Sequence, residues 1–427
     1  MTALDGPREQ MTVTVVGGGP AGLIAAEILA TAGVTVTLFD HMASVGRKFL
    51  LAGRGGLNLT HSEPLDQFLT RYGNASPPLE QALTAFPPEA LRAWCEALGE
   101  TTFVGSSGRV FPESFRATPL LRAWLTRLAG LGVTIVNRHR WVGFGSDDAG
   151  DLSPRRMRFE RRDGVLLDVV SDAVIVALGG ASWPRVGSDG GWVDTLRAAG
   201  VTVNDLRPAN SGVTVDWTPV FVGRFGGTPL TNVAVTVDGV AVRGGVVITD
   251  TGLEGGPIYA HSTAIRRSLD ATGGTTLWLN LQPDLSAEEL GSRLSRRRPK
   301  ESLSTSLRTL GLDPVSISLL REATGNRIPT DAFELGALIT SVPVAIVGTS
   351  GLERAISSAG GVAFDELDES FMLRRLTGVF VAGEMIDWEA PTGGYLLQGC
   401  FSTGVAAAHG VLDWFNRADG RKGATHG

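Results

Sequence analysis

Residues 12–22 read Thr12-Val13-Thr14-Val15-Val16-Gly17-Gly18-Gly19-Pro20-Ala21-Gly22, an apolar β-branched run that passes directly into the pattern Gly-x-Gly-x-x-Gly. A second run of this kind, Val34 to Phe39, ends at Asp40, roughly twenty residues beyond the glycines, as in dinucleotide-binding proteins. A strand, a glycine turn, a helix, a second strand and an acid in this order indicate a βαβ unit that binds a dinucleotide.

The three glycines of this pattern are expected to meet different steric demands. Gly17 permits the tight turn, Gly19 lets the main chain approach a pyrophosphate, and Gly22 allows the helix to pack closely against the strand. The helix then offers free N–H groups and a positive dipole to the phosphates, and Asp40 is placed to accept hydrogen bonds from ribose hydroxyls. We therefore predict cofactor contacts at Gly17, Gly18, Gly19, Pro20, Ala21, Gly22 and Asp40.

Length and charge bound the class of protein. A chain of 427 residues exceeds the size of a single core, so two or three domains are expected. The net charge of −6 gives no general attraction to polyanions, and the basic cluster from Arg293 to Lys300 is interpreted as a solvated helix end. We therefore expect a small-molecule substrate and no nucleic-acid partner.

The cysteines and the apolar runs bound the compartment. Cys95 and Cys400 lie far apart and form no Cys-x-x-Cys motif, so neither a redox disulfide nor a cysteine metal site is predicted. The histidines also lack metal-ligand spacing, so no metal is expected. The sequence carries no apolar run of the length of a membrane span and no recognisable signal segment, so we expect a cytoplasmic protein without a membrane partner.

Changes of texture along the chain predict a discontinuous first domain. Long apolar strands separated by helices occur at both ends of the chain, whereas the middle carries short alternating strands with Asp-Gly and Gly-Gly turns. A capping box at Ser286 and Glu289 predicts a helical module within that insert. The predicted limits are 1–203 and 346–427 for the first domain, 204–283 and 326–345 for the antiparallel β insert, and 284–325 for the helical module.

The segment from Gly46 to Thr60 places two cations before a glycine-rich loop. The cations can neutralise the charge of a diphosphate, and the loop Gly53-Arg54-Gly55-Gly56-Leu57-Asn58 lets main chain lie against a flat ring. The alternative is a solvated basic turn followed by a flexible loop. The cofactor contacts predicted here are Arg47, Lys48 and Asn58.

Two stretches near the carboxyl end are expected to contact the same ligand. Gly383-Glu384 follows a predicted parallel strand, at the end where open α/β sheets bind ligands, and the carboxylate can accept hydrogen bonds from a polyol. The pair Gly393-Gly394 opens a long helix of small residues, whose positive end would favour a reduced flavin. The alternatives are a surface acid and a closely packed core helix. The predicted contacts are Gly383, Glu384, Gly393, Gly394, Tyr395 and Leu396.

Taken together, the motifs are similar to those of one flavoprotein family. They are Val-Val-Gly-Gly-Gly-Pro-Ala-Gly-Leu, Gly46-Arg47-Lys48, Gly108-Arg109-Val110-Phe111-Pro112, Gly179-Gly180-Ala181-Ser182-Trp183-Pro184, Thr251-Gly252-Leu253-x-Gly255-Gly256-Pro257, Gly360-Gly361-Val362, Gly383-Glu384 and Gly393-Gly394-Tyr395-x-Leu397-Gln398. Over nearly its whole length the chain resembles the BaiN/RdsA-like NAD(P)/FAD-dependent oxidoreductases, also known as the aminoacetone oxidase family of FAD-binding enzymes.

This resemblance implies a particular fold and cofactor. It implies FAD in a glutathione-reductase-like α/β Rossmann domain, interrupted by an antiparallel β-barrel insert that carries a small helical module. It also implies that main chain near Trp141 meets the adenine and that residues 393–396 approach the isoalloxazine. Ala177, Gly179 and Gly180 are implied to line the nucleotide.

The chain departs from the family pattern at two places. The loop from Gly53 to Asn58 lacks the usual Gly-Gly-Gly-Arg-Cys-Asn order, and Asp250 stands where a histidine is common. Both positions are expected to face the substrate side of the flavin site. The family's substrates are therefore not carried over to this chain.

A flavin enzyme of this kind moves a hydride to or from flavin N5. No second Gly-x-Gly-x-x-Gly follows a strand, so NAD(P)H is expected to dock only transiently, and the leading hypothesis is NAD(P)H-dependent reduction of a small organic substrate. The alternatives are an amine oxidase that uses oxygen, an RNA-modifying flavoenzyme and a non-catalytic flavin-binding protein.

Loops expected to converge above the flavin carry the candidate catalytic residues Arg54, Asp250, Glu389 and Tyr395, each of which also has a structural interpretation. The oligomeric state is left open.

Overall fold

The computed structural model describes residues 10–73, 76–147, 149–298 and 300–424, and leaves out the side chains of Arg54 and of residues 418–424. The chain divides into two compact units. Unit 1 consists of the residues up to Arg207 together with those from Ser357 onward, and unit 2 consists of Pro208–Ile356. Unit 1 is therefore discontinuous in sequence.

The first part of unit 1 alternates strands and helices. Its elements are β1 (Thr12–Val16), α1 (Pro20–Thr31), β2 (Thr35–Asp40), α2 (Arg47–Ala52), β3 (Thr60–His61), α3 (Leu65–Thr70), α4 (Pro77–Ala85), α5 (Pro88–Ala97), β4 (Thr102–Val104), β5 (Arg109–Pro112), α6 (Ala117–Gly130), β6 (Thr134–Asn137), β7 (His139–Ser146), β8 (Leu152–Arg161), β9 (Leu166–Val170), β10 (Ala173–Val176), α7 (Val193–Ala198) and β11 (Val203–Ala209). Strand β11 leads the chain into unit 2.

Unit 2 combines short strands with helices, and the chain then returns to unit 1. The elements of unit 2 are β12 (Val213–Thr214), α8 (Pro219–Phe225), β13 (Pro229–Val237), β14 (Val240–Thr249), β15 (Gly252–Glu254), α9 (Gly256–Ala260), α10 (Ser262–Thr272), β16 (Thr275–Asn280), α11 (Ala287–Ser295), α12 (Leu303–Thr309), α13 (Pro314–Ala323), α14 (Ala332–Thr340), β17 (Val342–Ile346) and β18 (Gly348–Thr349). The returning elements are β19 (Ser357–Val362), β20 (Val379–Val381) and α15 (Tyr395–Ala424).

A five-stranded parallel sheet forms the centre of unit 1. Its strand order is β20-β10-β1-β2-β6, and every neighbouring pair is parallel. All four residues of β10 are buried, as expected for a strand that is covered on both faces. The predicted mixed α/β fold with a parallel Rossmann-like core is therefore confirmed. Unit 1 also contains two three-stranded antiparallel sheets, β7-β8-β9 and β3-β5-β4, and strands β11 and β19 form a two-stranded sheet.

The sheet of unit 2 is antiparallel, but it is not a closed barrel. Its order is β17-β16-β13-β14-β15-β12-β18, and its apolar side covers a separate core. The edge strands β17 and β18 follow one another in the chain with only Val347 between them, and no ladder joins them in the described residues. The barrel implied by the family resemblance is thus corrected to an open antiparallel sheet.

The helices of unit 2 extend further than the sequence suggested. The predicted capping box is present, since Ser286 Oγ accepts from the Glu289 main chain and the Glu289 carboxylate accepts from the Ser286 main chain. Helix α14, however, occupies much of the stretch 326–345 that we expected to be β structure. The reason is a strong N-cap, because Asp331 accepts from the N–H groups of Phe333 and Glu334 at 2.9 Å each.

The return to unit 1 also falls later than predicted. Strand β18 pairs with β12, so the chain remains in unit 2 beyond residue 346 and leaves it after Ile356. Among the described helices of both units, none combines the length and the apolar character that a membrane crossing requires.

Helix α15 packs against α1 through a glycine, and this contact tests the fold of unit 1. A Cβ on Gly404 would lie 2.5 Å from the Ala21 carbonyl oxygen and 2.6 Å from Ile24 Cγ2. Gly404→Ala is expected to lower the free energy of unfolding by about 1–3 kcal/mol through overpacking, measured by denaturant titration. Gly130→Ala is the control, because a Cβ there meets no atom within 4 Å and should leave stability equal or higher. Equal stability of the two variants would contradict this packing.

Candidate cofactor-binding site

A cleft opens in unit 1 at the carboxyl ends of the parallel strands. Its walls include the residues that follow β1, β2, β10 and β20, namely Val16 to Ala21, Phe39 to Met42, Ala177 to Gly179 and Ala382 to Glu384. Its empty space, with the open mouth included, is about 790 Å³. Open α/β sheets bind their ligands at this position.

Most of the residues predicted to contact the cofactor line this cleft. They are Gly17, Gly18, Gly19, Pro20, Ala21, Asp40, Arg47, Lys48, Trp141, Ala177, Gly179, Gly383 and Glu384. The remaining predicted contacts, which do not belong to the lining of this cleft, are Gly22, Asn58, Gly180, Gly393, Gly394, Tyr395 and Leu396. Contact of any of these residues with a cofactor stays a prediction.

The glycine turn between β1 and α1 leaves room only for main chain. Gly17 has a φ of 108°, and a Cβ on it would collide with the Ala177 carbonyl. A Cβ on Gly22 would likewise collide with the Gly17 carbonyl oxygen, so the close approach of helix and strand requires glycine. At Gly19 an added Cβ would meet no atom within 4 Å. Gly19 therefore borders the empty space of the cleft, at the end of α1 that favours an anion.

Asp40 holds the glycine turn in place through its carboxylate. One oxygen accepts a hydrogen bond from Gly18 N at 2.8 Å, and the other accepts from Met42 N at 2.7 Å. Each carboxylate oxygen has a second lone pair, so Asp40 retains the capacity to accept from ribose hydroxyls. Beside it, burial and the charge of Arg140 lower the pKa of His41, so the imidazole is neutral at neutral pH.

Lys48 is bound to a protein carboxylate rather than left free for a diphosphate. Its ammonium donates to Glu384 Oε2 at 2.7 Å and to Ser182 Oγ at 2.6 Å. The other oxygen of Glu384 accepts from Ser358 N at 3.0 Å. Lys48 therefore fastens α2 to the end of β20. Neutralisation of a diphosphate by Arg47 and by the N-terminus of α1 stays a prediction.

Several side chains of the cleft carry a buried polar atom without a hydrogen-bond partner in the described part of the chain. These atoms are Arg47 Nε, Trp141 Nε1 and Ser188 Oγ. The Oδ1 atom of Asn58, on the glycine-rich loop, is in the same state. Buried polar atoms are almost always paired, so these atoms are suited to a polar ligand. Together with the space beside Gly19, they fit a dinucleotide such as FAD.

Part of the cleft lining was not predicted from the sequence. The further lining residues include His41, Met42, Ser44, Gly46, His139, Val186, Gly187, Ser188 and Cys400. The turn around Ser188 and strand β7 reach the cleft through tertiary contacts, which leave no local signal in the sequence. Cys400 lies in the second turn of α15, and burial raises its pKa to about 12, so it is a neutral thiol.

Tyr395, a candidate catalytic residue, is held by neighbours outside the cleft. Its phenol donates to Glu63 Oε1 at 2.6 Å, and Arg71 donates to Glu63 Oε2 at 2.6 Å. Its ring stacks on His61 with 5.3 Å between the centroids. Burial and the Glu63 carboxylate raise the pKa of Tyr395. The phenol therefore stays protonated and anchors the start of α15.

The other three catalytic candidates belong to different units or lack a described side chain. Asp250 belongs to unit 2, in the turn between β14 and β15. Glu389 lies half-buried in unit 1, a few residues before α15. The main chain of Arg54 forms part of the short 3-10 helix Gly53–Gly55, whereas its side chain lies outside the described residues. The predicted convergence of these residues above a flavin stays a prediction.

The glycines that precede α15 have a packing role. A Cβ on Gly394 would come within 2.5 Å of Thr60 Cα, so the start of α15 and strand β3 approach each other as bare main chain. Leu396 is half-buried beside them. These contacts support the alternative interpretation of this segment, in which the glycines serve a closely packed core helix.

Comparison with known proteins assigns the family. The profile of the HI0933-like protein Rossmann domain matches residues 11–410, which is nearly the whole chain. The chain belongs to this family. The resemblance drawn from its motifs is thereby confirmed, and family membership makes the chain an FAD-dependent oxidoreductase.

Two curated relatives span almost the full length of the chain. The 3-dehydro-bile acid delta(4,6)-reductase of Clostridium scindens is 25% identical over 418 residues, which cover 94% of this chain and 99% of that protein. The ribosomal RNA dihydrouridine synthase of Escherichia coli is 23% identical over 422 residues, which cover 95% of this chain and 98% of that protein. These two relatives thus bear the names of a bile-acid reductase and of a ribosomal RNA dihydrouridine synthase.

Solved structures are similar in fold. The 3-ketosteroid delta1-dehydrogenase of Sterolibacterium denitrificans, in complex with 1,4-androstadiene-3,17-dione, aligns with a TM-score of 0.54 and 12% identity. The alignment covers 94% of this chain and all of that chain. At this level of identity the similarity shows the fold alone.

The open space at Gly19 yields a test of the cofactor position. Gly19→Val is expected to fold, because the main chain is extended there and nothing lies within 4 Å, but its side chain would enter the cleft. The flavin content of the purified protein should fall by about tenfold or more, measured by the absorbance of released flavin. Gly256→Val in unit 2 is the matched control, since its Cβ also meets open space. Full flavin loading of Gly19→Val would contradict the position.

The two cysteines yield a second test. Burial raises the pKa of both Cys95 and Cys400 to about 12, so neither should be alkylated readily in the flavin-loaded protein at about pH 8. Cys400 lines the cleft, so removal of flavin should increase its labelling severalfold, read out by mass spectrometry. Cys95 is fully buried elsewhere and serves as the internal control. Equal labelling of Cys400 with and without flavin would place the cofactor elsewhere.

Proposed function

We propose that this flavoenzyme reduces a carbon–carbon double bond conjugated to a carbonyl group, with NAD(P)H as a transiently bound donor of hydride. The names of the relatives support this class of reaction. A delta(4,6)-reductase of a 3-dehydro bile acid and a dihydrouridine synthase both add hydrogen across a carbon–carbon double bond near a carbonyl. The two relatives therefore share one class of reaction, the reduction of a carbon–carbon double bond.

The observation that carries the proposal is the cleft at the strand ends, with its open space beside Gly19 and its unpaired polar atoms. FAD, when bound, supplies a ring that accepts and releases hydride at N5. The N-terminus of α1 and Arg47 would hold the diphosphate of this cofactor. The Lys48–Glu384 ion pair keeps the two sides of the cleft together.

Reduction of a conjugated double bond requires one hydride and one proton. The hydride goes to the carbon remote from the carbonyl, and a proton goes to the neighbouring carbon. Arg54, Asp250 and Glu389 remain our proposed groups for substrate binding or proton delivery. Tyr395 is protonated at neutral pH but donates to Glu63, so its proposed role is to position the start of α15.

A uridine base within RNA is the second candidate substrate. It is favoured by relatives from Escherichia coli and Haemophilus influenzae that are named ribosomal RNA dihydrouridine synthase. The basic cluster that we interpreted as a solvated helix end fits this candidate as well. Its residues Arg293, Arg296, Arg297, Arg298 and Lys300 are all exposed. Binding to RNA through these cations would weaken steeply with salt.

Anaerobic mixing experiments test the proposed reaction. The flavin-loaded enzyme should be bleached by NADH or NADPH, because the proposed reaction begins with transfer of hydride from the nicotinamide. Its absorbance should return on addition of a 3-oxo-Δ4 steroid or cyclohexenone, or of unmodified ribosomal RNA if the second candidate is correct. Gly19→Val, depleted of flavin, is the control for non-enzymatic reduction.

Two outcomes would contradict the proposal. Bleaching by a panel of amines but by neither nicotinamide would favour the amine oxidase. A flavin that no donor bleaches would favour a non-catalytic flavin-binding protein. The rate of reoxidation under air, compared with that in the presence of the enone, separates oxygen from an organic acceptor.

A further inference from the structure

A second pocket of unit 1 adjoins the cleft and is strongly basic. Its lining consists of His41, Met42, Ala43, Arg138, Arg140, Glu160, Arg161 and Arg162, so four arginines face a single acid. His41 and Met42 also line the cofactor cleft, which makes the two pockets neighbours. The proposed function assigns no role to this second pocket, which we call the arginine pocket.

The strand register brings two of these arginines together. Strands β7 and β8 pair His139 with Arg161 and Arg140 with Glu160. Arg138 directly precedes β7 and Arg162 directly follows β8, so both residues lie where this pairing ends, and both line the arginine pocket. Arginines that line one pocket repel one another, and a bound anion would reduce that repulsion.

Arg138 also has a strained main chain. Its φ of 63° is in the left-handed region, which non-glycine residues rarely adopt. The conformation is held because Arg138 N donates to the Met42 carbonyl at 3.0 Å, and Met42 N in turn donates to Asp40. Strain of this kind persists where the surrounding structure imposes it, and it is frequent at ligand sites.

The charges of the arginine pocket are only partly compensated by protein groups. Arg140 pairs with Asp189 at 2.9 Å, and Arg161 pairs with Asp163 at 2.8 Å. Arg138 and Arg162 have no acidic partner within 4.0 Å in the described part of the chain. Two exposed arginines of the arginine pocket are therefore without a carboxylate partner in the described residues.

The geometry points to a phosphate-binding site between Arg138 and Arg162, distinct from the cofactor cleft. Guanidinium groups present planar N–H donors that match a phosphate in two-pronged fashion. The ligand class is a phosphate group exposed to solvent, carried either by a free nucleotide or pyrophosphate or by the backbone of RNA. A bound phosphate would reduce the repulsion among the arginines of the pocket.

Calorimetric titration of the FAD-saturated enzyme with inorganic pyrophosphate at low salt tests this site. FAD saturation blocks the cleft, so the heat reports the arginine pocket. The wild type should show one saturable site, and Arg138→Gln with Arg162→Gln should weaken it by about tenfold or more. Arg122→Gln with Arg308→Gln removes the same charge from two exposed helix positions and should change the affinity by less than about twofold.

A second variant separates binding from folding. Arg138→Gly relieves the left-handed conformation and removes one cation, so its melting temperature should rise while its affinity for pyrophosphate falls. The inference is overturned if wild type binds no phosphate probe, if the double variant binds as wild type does, or if the control pair loses affinity equally.

A competition experiment between RNA and pyrophosphate identifies the source of the phosphate. Tighter binding of a short single-stranded RNA than of pyrophosphate assigns the site to an RNA backbone, and the reverse order assigns it to a free phosphate ligand. No turnover is measured in these titrations. A site that binds pyrophosphate in an enzyme whose flavin is inert toward enones would therefore refute only the proposed function.

Discussion

The contact between Gly17 and Gly22 is the constraint on which unit 1 depends. Neither position has room for a side chain, because one abuts the Ala177 carbonyl and the other abuts the Gly17 carbonyl. This contact starts α1 directly at the end of β1 and directs its free N–H groups into the cleft. The Asp40 carboxylate, bonded to Gly18 N, then fixes the turn to the end of β2. The anion-binding end of α1 follows from this arrangement.

The remainder of the cleft is assembled from segments far apart in the chain. The Lys48–Glu384 ion pair joins residues that are 336 positions apart and brings the end of β20 to the start of α2. Helix α15 closes the other side, packed on α1 through Gly404 and anchored by the Tyr395–Glu63–Arg71 cluster. The ion pair lies at the border of the cleft, and the contacts of α15 hold in place the helix that contributes Cys400 to the lining.

The sequence was informative where the chemistry is local. The spacing from Gly17 to Asp40 predicted the βαβ unit, and the capping box at Ser286 predicted a helix start that the structure confirms. It was uninformative where partners come from afar. The sequence around Lys48 did not indicate that its ammonium pairs with the Glu384 carboxylate. The sequence around Ser188 did not indicate that this residue lines the cleft. The predicted barrel was wrong because closure of a barrel requires hydrogen bonds between the two edge strands, β17 and β18. Alternation of apolar and polar residues within each strand does not determine that pairing.

The central claim is that the cleft of unit 1 holds FAD. The most direct measurement is to denature the purified protein and identify what is released by chromatography with mass detection. The account predicts FAD in an amount equimolar with the chain, and its loss from Gly19→Val but not from Gly256→Val. Release of FMN, or of no flavin from protein first incubated with FAD, would contradict it.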